Sequence, residues 1–371
     1  MTTAGGVQER WTPRSVDPQT TLRGVADLLA STVDDVRAQW EDVLEGSSDD
    51  ILGTHDLPTW LARTARSGGK QIRPLMCHWG FVASGGYGTA AHEDVVACAT
   101  ALELLHTFAL IHDDVMDEAD TRRGALAAHR FAAQAHERRE AHGSSERYGE
   151  SMAILLGDLA HTMADHLVAG LPAPLRRRWF ELNVELIAGQ REDLSGAATG
   201  AGGLDRARRI ARIKSGAYTV TRPLQLGAAS ANADDEVHAV FETYGRELGG
   251  VFATRDDVLG IWGDPEQTGK PSGDDLRHRK PTLLWVDAEA RLDGAGRALL
   301  DRVGTPDEHP GDIAALQEAM IEVGVLERAE QTITDGVDRA LTTLDLARDV
   351  LHPAGVDGLV AATREIAWRT S

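Results

Sequence analysis

Cysteine is nearly absent from the 371-residue chain: Cys77 and Cys98 are the only two, both in apolar, helical context. That leaves no disulfide framework and no thiolate zinc site, and it fits a reducing cytoplasm. No run of about eighteen or more apolar residues occurs, so no membrane-spanning helix is expected. The N-terminus lacks the basic region and apolar core of a secretory signal and reads as a flexible tail over residues 1–20, ahead of a domain over 21–371. Cationic charge is also scarce. Lys and Arg number 38 against 58 Asp and Glu, a formal charge of −20 that would repel nucleic-acid phosphates. A metal-bridged anionic substrate is still allowed, because divalent ions invert the local sign. Convincing strand alternation is missing too, as are short repeats and any linker between separate cores.

What remains is helical periodicity. In "TLRGVADLLASTVDDVRAQWEDVL" the apolar positions Leu22, Val25, Leu29, Val36, Trp40 and Val43 recur at helical spacing. Residues 92–117 are apolar on nearly every face until Asp113, the mark of a helix in the middle of a bundle. Further helical patterns cover roughly 147–170, 173–195, 204–231, 235–263, 281–303, 311–346 and 354–369. The breaks between them are rich in Gly, Ser, Pro or acid. The reading is a single all-α domain, a helical bundle around a central cavity.

Two of these helices end in acid. "LIHDDVMDEADTRRG" brings Asp113, Asp114 and Asp117 to the end of an apolar run, followed by Arg122 and Arg123. Asp113 and Asp117 are four apart, so they share one helix face about one turn from each other. Carboxylates so placed suit magnesium, which takes a few of them and completes its sphere with water and phosphate oxygens. "TRDDVLGIWGD" repeats the theme with Asp256, Asp257 and Asp264. An EF-hand is excluded, because neither stretch has alternating oxygen ligands and a closing glutamate. Cations gather at breaks: Lys70 and Arg73 in "SGGKQIRP", Lys214 beside the hydroxyl of Ser215 in "RIKSGAYTVTRP", and Lys270 and Lys280 in "TGKPSGDDLRHRKPT".

In this order, "GGKQIRP", "DDVMDEADTRRG", "KS", "GQREDL", "FATRDDVLG", "TGK" and "RKPT" resemble the signatures of the trans-isoprenyl diphosphate synthases, the polyprenyl synthetase family. The resemblance spans about residues 20–370 and implies the isoprenoid synthase fold. It also implies roles. Asp113, Asp117 and Asp256 would bind three magnesium ions, with manganese as a substitute, while Asp114, Asp193 and Asp257 orient ligands and water. The ions would hold an allylic diphosphate, with Arg122, Lys214, Lys270 and Lys280 on its other oxygens and Gln190 facing the same cavity. Isopentenyl diphosphate would sit apart on four cations: Lys70, Arg73, His106 and Arg123. The implied reaction is head-to-tail (1'-4) condensation by a cytoplasmic homodimer.

The chain departs from the family pattern at three places. Gly260 replaces the last acid of the second cluster, Ser215 replaces a threonine, and Ala253 stands where a glutamine would face the reacting carbons. The last change would also suit an enzyme that ionises and cyclises a prenyl diphosphate without elongating it. The four-cation set argues for elongation. Product length is read from the residues before Asp113, which run deeper into the bundle at about 1.5 Å each. Phe108 would form a floor, with small Ala109 beside it and Leu105 one turn below. That pattern resembles synthases of the twenty-carbon geranylgeranyl product.

Overall fold

The computed structural model describes residues 16–44, 51–53, 56–66, 69–86, 89–199, 203–268 and 271–370. Helix α1 (Pro18–Val43) begins where the Asp17 carboxylate accepts the Gln19 N–H at 3.0 Å and Pro18 occupies the first helical position. Residues 18–20 are therefore helical rather than part of the expected tail, and 1–15 lie outside the described residues. Val25, Leu29 and Val33 bury one face of α1.

Helices α2 (Leu57–Arg66) and α3 (Ile72–Ala83), which the sequence reading did not single out, lead into α4 (Thr89–Met116). By length and composition Ala91–Met116 is apolar enough to cross a membrane, contrary to the reading above. Its apolar surface is instead buried by protein: α1, α3 and α6 (Ser145–Ala169) surround it, and Val95, Cys98, Leu102 and Leu105 are inaccessible to solvent.

Between α4 and α6 lie a small hairpin and α5 (Ala128–Arg138). Strands β1 (Thr121–Arg122) and β2 (Ala125–Leu126) pair antiparallel around a two-residue turn, Arg123–Gly124. Both turn residues have positive φ, 52° and 75°, the primed geometry that matches the twist of the flanking strands. The expectation of no strands thus fails at this one point among the described residues.

Next come α7 (Ala173–Thr199) and a segment predicted as one helix over 204–231. It resolves into α8 (Leu204–Ile210), a stretch of wide π turns over Ala211–Thr221, and α9 (Arg222–Ser230). Helix α10 (Asp235–Trp262) carries the second acid cluster, and α11 (Pro265–Thr268) and α12 (Asp274–Arg277) follow as single turns. The predicted helices over 281–303 and 311–346 split. α13 (Leu283–Arg291) and α14 (Gly294–Arg302) part at Gly294, and α15 (Asp312–Glu322) and α16 (Val325–Leu346) at Gly324; both glycines are left-handed. Helix α17 (Pro353–Ala367) ends the bundle.

The core has two lobes that meet at α3. Met76 belongs to the lobe of α10, α16 and α17, whereas Cys77 and Phe81 belong to the lobe of α1, α4 and α6. Helix α9 presses against α3 backbone to backbone. A Cβ on Gly227 would lie 1.9 Å from the Cys77 carbonyl oxygen, and one on Gly80 would lie 2.2 Å from that of Leu224. Glycine is required at both places.

A buried polar chain ties α1 to this core. The Val16 carbonyl, 3.3 Å from His78 Nε2, sets the tautomer. His78 Nδ1 then accepts from the Thr21 hydroxyl at 2.8 Å, and that hydroxyl lies 3.0 Å from His92 Nε2. Burial drives the His78 pKa from 6.5 down to about 4, against the opposing pull of the Val16 carbonyl. A depressed histidine pKa stabilises the fold fully above 6.5, and that contribution is lost as pH falls toward 4, because the unfolded chain then binds a proton the folded one refuses. The expected loss is about 3 kcal/mol. Denaturant titrations at several pH values should show a shallower decline over this window for His78→Gln than for the unmodified chain. Equal slopes would remove His78 as the cause.

Candidate active site

Asp113 and Asp117 do share a face at the end of α4, and each meets a lysine from a distant segment. Asp113 Oδ1 accepts from Lys214 Nζ at 3.0 Å and from Gln190 Nε2 at 2.9 Å. Lys214 also contacts Asp193 Oδ2 at 2.5 Å. Burial alone would raise the Asp113 pKa, but Lys214, Lys280 and Arg122 outweigh it and hold it down at about 2. Lys214 is itself half-buried, yet Asp113 and Asp193 keep it charged. The π turns that carry Lys214 and half-buried Ser215 lie against α10, where a Cβ on Gly249 would be 2.8 Å from Gly216 Cα. Such turns recur at functional sites because they re-aim side chains.

Asp117 Oδ2 lies 2.9 Å from Lys280 Nζ, and Lys280 lies 3.8 Å from Asp275. Buried Asp114 accepts from Arg122 Nε at 2.8 Å and from Arg122 Nη2, so Arg122 braces the helix end. Arg122, expected as a diphosphate contact, is paired with Asp114 in this structure.

The hairpin turn aims Arg123 at the loop before α3: a Cβ on Gly69 would meet Arg123 Nη2 at 3.2 Å. Arg123 thus reaches the backbone of the loop that carries Lys70. Gln71 and Arg123 both have positive φ, 46° and 52°, strain of the kind that clusters at binding sites. Buried Arg73 donates to Thr219 Oγ1 at 2.9 Å and stacks 4.2 Å above the Tyr218 ring. His106 Nδ1, Arg73 Nε and the Tyr218 hydroxyl are buried without partners among the described residues. One expectation needs correcting. Burial, then Arg73, Arg123 and Arg122, hold His106 well below its usual pKa, so it is a neutral hydrogen-bonding group. The set is three cations and one neutral imidazole.

On α10, Asp256 bonds Arg369 Nη2 at 2.8 Å. The Asp257 carboxyl is pushed well above the usual carboxylate range by burial and by the neighbouring acids Asp275 and Asp256. The absent acid at 260 has a substitute in space: a Cβ on Gly260 would lie 1.9 Å from Asp275 Oδ2. Ala253 is buried beside Phe252. Lys270 lies outside the described residues.

A family model described as polyprenyl synthetase matches residues 56–320. The chain belongs to the polyprenyl synthetase family. It is a trans-prenyltransferase with the isoprenoid synthase fold. It superposes with a TM-score of 0.87 on geranylgeranyl pyrophosphate synthase from Corynebacterium glutamicum, solved with isoprenyl diphosphate and magnesium, at 32% identity over 95% of this chain and 99% of that one. It is 30% identical to geranylfarnesyl diphosphate synthase of Aeropyrum pernix, over 77% of this chain and 84% of the relative. It is 34% identical to (2E,6E)-farnesyl diphosphate synthase of Mycobacterium bovis, over 73% of each. These relatives differ in the product they are named for.

In this prenyltransferase, half-buried Phe108 packs between two imidazoles, His112 with ring centroids 4.6 Å away and His161 of α6 at 4.8 Å. His161 Nε2 is paired with Asn183 Oδ1 at 2.9 Å. Leu105 is fully buried and Ala109 half-buried beside the ring. Among the described residues, no three acid, histidine or cysteine side chains converge into a ready-made cage for one ion. The donor set nevertheless fits divalent cations. Seven aspartates (113, 114, 117, 193, 256, 257, 275) face four cations (Arg122, Lys214, Lys280, Arg369), and hard oxygens spread this way suit ions completed by substrate phosphates. Asp275, Arg369 and Tyr218 were not singled out from the sequence. Asp275 sits in the same "SGDDLRHRKPT" stretch from which only the lysines were read.

Proposed function

We propose that the protein condenses isopentenyl diphosphate with an allylic prenyl diphosphate, head to tail and with magnesium, to give geranylgeranyl diphosphate. The observation that carries this reading is the presence of two separate anion-binding groups. One is the acid–lysine cluster of Asp113, Asp117, Asp193, Lys214 and Lys280; the other is the metal-free set of Lys70, Arg73, Arg123 and neutral His106.

Asp113, Asp117 and Asp256 hold the divalent ions, three in number with manganese as a substitute, and Asp114, Asp193 and Asp257 orient them. Bound magnesium supplies charge neutralisation for the allylic diphosphate as its carbon–oxygen bond breaks and the electron pair leaves with the diphosphate. Lys214, Lys280, Lys270 and Arg122 take its remaining oxygens, and Ser215 and Gln190 line the same cavity. The isopentenyl double bond, held on the second group, attacks the allylic cation, and the released diphosphate accepts the final proton. Proximity and exclusion of water matter because the cation would otherwise be quenched.

Ala253 favours a second reading, ionisation and cyclisation without elongation, since the carbons face no amide dipole there. A cyclase has no use for the cations of the second group, which supports elongation. A homodimer is supported by α7, whose outer face exposes Phe180, Val184, Ile187 and Leu194 as one apolar stripe, with Ile154 and Leu155 exposed on neighbouring α6. Two buried free cysteines are consistent with a cytoplasmic setting.

Lys70→Ala and Arg123→Ala each remove a charge-assisted contact, which should raise the KM for isopentenyl diphosphate by about tenfold or more. The KM for the allylic partner should change much less. Steady-state kinetics with each substrate varied in turn checks this, and equal effects on both would mean the two sites are wrongly apportioned.

A further inference from the structure

The residue before Lys280 sits in a backbone conformation that favours glycine. Helix α12 ends in a Schellman turn, in which the Arg279 N–H donates to the Leu276 carbonyl and the Lys280 N–H to the Asp275 carbonyl, each at 3.0 Å. That turn puts Arg279 at the left-handed position, with φ 49°, where a Cβ is disfavoured. An arginine there needs a compensating contact, and its side chain supplies one. Arg279 Nη1 donates to the carbonyls of Val303, Leu300 and Asp301 at 2.7, 3.0 and 3.3 Å. These lie at the C-terminal end of α14, where open carbonyls and the helix dipole favour a cation. The guanidinium also lies 5.0 Å over the ring of buried Trp285 on α13.

The turn after α14 closes on the stem of the same arginine. A Cβ on Gly304 would lie 2.7 Å from Arg279 Cγ and 2.3 Å from the Arg277 carbonyl oxygen. Glu308 accepts from the Gly304 N–H at 2.8 Å, and its other oxygen lies 3.9 Å from Arg277 Nε. On the far side of Lys280, its carbonyl accepts from the Thr282 N–H at 2.7 Å, and Thr282 Oγ1 accepts from the Trp285 N–H at 3.2 Å to start α13. The backbone that carries Lys280 is therefore pinned on both sides. Its Nζ reaches Asp117 at 2.9 Å and Asp275 at 3.8 Å. A lysine stem is flexible, so a fixed backbone is what makes the place of its ammonium repeatable.

From this arrangement we infer that Arg279 is a positioning residue for the allylic half-site: its guanidinium, seated in the end of α14, holds the turn that aims Lys280 at Asp117 and the diphosphate oxygens. The inference rests on the reading above that Lys280 contacts the allylic diphosphate. Two sources of order can be told apart. If the backbone turn alone placed Lys280, glycine at 279 would serve as well as arginine, because glycine adopts this φ freely. If the guanidinium places it, glycine and alanine fail alike.

The test is steady-state kinetics of the full chain in excess Mg²⁺, with whichever of dimethylallyl, geranyl and farnesyl diphosphate turns over fastest as the allylic probe. Arg279→Gly and Arg279→Ala should each raise its KM about fivefold and leave the KM for isopentenyl diphosphate nearly unchanged. Arg279→Gly should nevertheless melt at a higher temperature than Arg279→Ala, since it escapes the left-handed strain. Lys280→Ala should raise the allylic KM about tenfold, and adding Arg279→Gly to it should change nothing more, because the arginine acts through the lysine. Arg279→Lys, which keeps a cation for the end of α14, should fall between. An unchanged allylic KM in Arg279→Gly, beside a raised one in Lys280→Ala, would overturn the positioning role and leave Lys280 in the site. A KM that follows melting temperature across the variants, or additive effects in the double variant, would overturn it too. An unchanged KM in Lys280→Ala would overturn the assignment of Lys280 and the inference with it.

Discussion

Asp113→Ala is expected to lower kcat/KM by about a thousandfold or more, since a metal ligand supports several kcal/mol of charge stabilisation in the transition state. The fold should survive, because Lys214 keeps its second partner, Asp193, at 2.5 Å. Asp113→Asn separates charge from shape: it can still accept from Gln190 but no longer offers a carboxylate, and it should fail nearly as badly. Asp256→Ala should fall by a similar factor, Asp257→Ala by less, because Asp257 lies among other acids that persist. Circular dichroism confirms folding, and rates across a magnesium titration give the effect. Near-wild-type turnover in Asp113→Ala would remove that residue from the metal assignment.

The second large effect concerns product length. Phe108→Ala removes the ring that sits between His112 and His161. Lost packing costs less than the 3–5 kcal/mol of a fully buried Phe, since the ring is half-buried. The product should lengthen by at least one isoprene unit, because the growing tail gains the space the ring vacates. Mass spectrometry of the dephosphorylated products reads this directly. Unchanged length would leave elongation intact but remove Phe108 as the floor.

Much of this site was legible in the chain. The apolar circumference of α4 announced a central helix, and the four-residue spacing of Asp113 and Asp117 announced a shared face. The lysines could be listed as cations near breaks, but their pairing could not be read, because Lys214 reaches Asp113 across 101 residues on turns wider than an α-helix. Asp275 replaces the missing acid at 260 only in space. Arg369 reaches Asp256 across 113 residues. The neutrality of His106 depends on burial among arginines, which no local pattern reports. Helix ends were missed where a left-handed glycine, Gly294 or Gly324, divides a continuous apolar pattern.

The central claim is that two diphosphates meet here and that elongation, not cyclisation, follows despite Ala253. Product analysis decides it. The enzyme is incubated in Mg²⁺ with isopentenyl diphosphate plus each allylic diphosphate in turn, beside geranylgeranyl diphosphate alone. Incorporation of isopentenyl units into products that remain diphosphates, with geranylgeranyl diphosphate unchanged when alone, is the predicted result. Hydrocarbon or alcohol and inorganic diphosphate from geranylgeranyl diphosphate alone, with no isopentenyl incorporation, would contradict it.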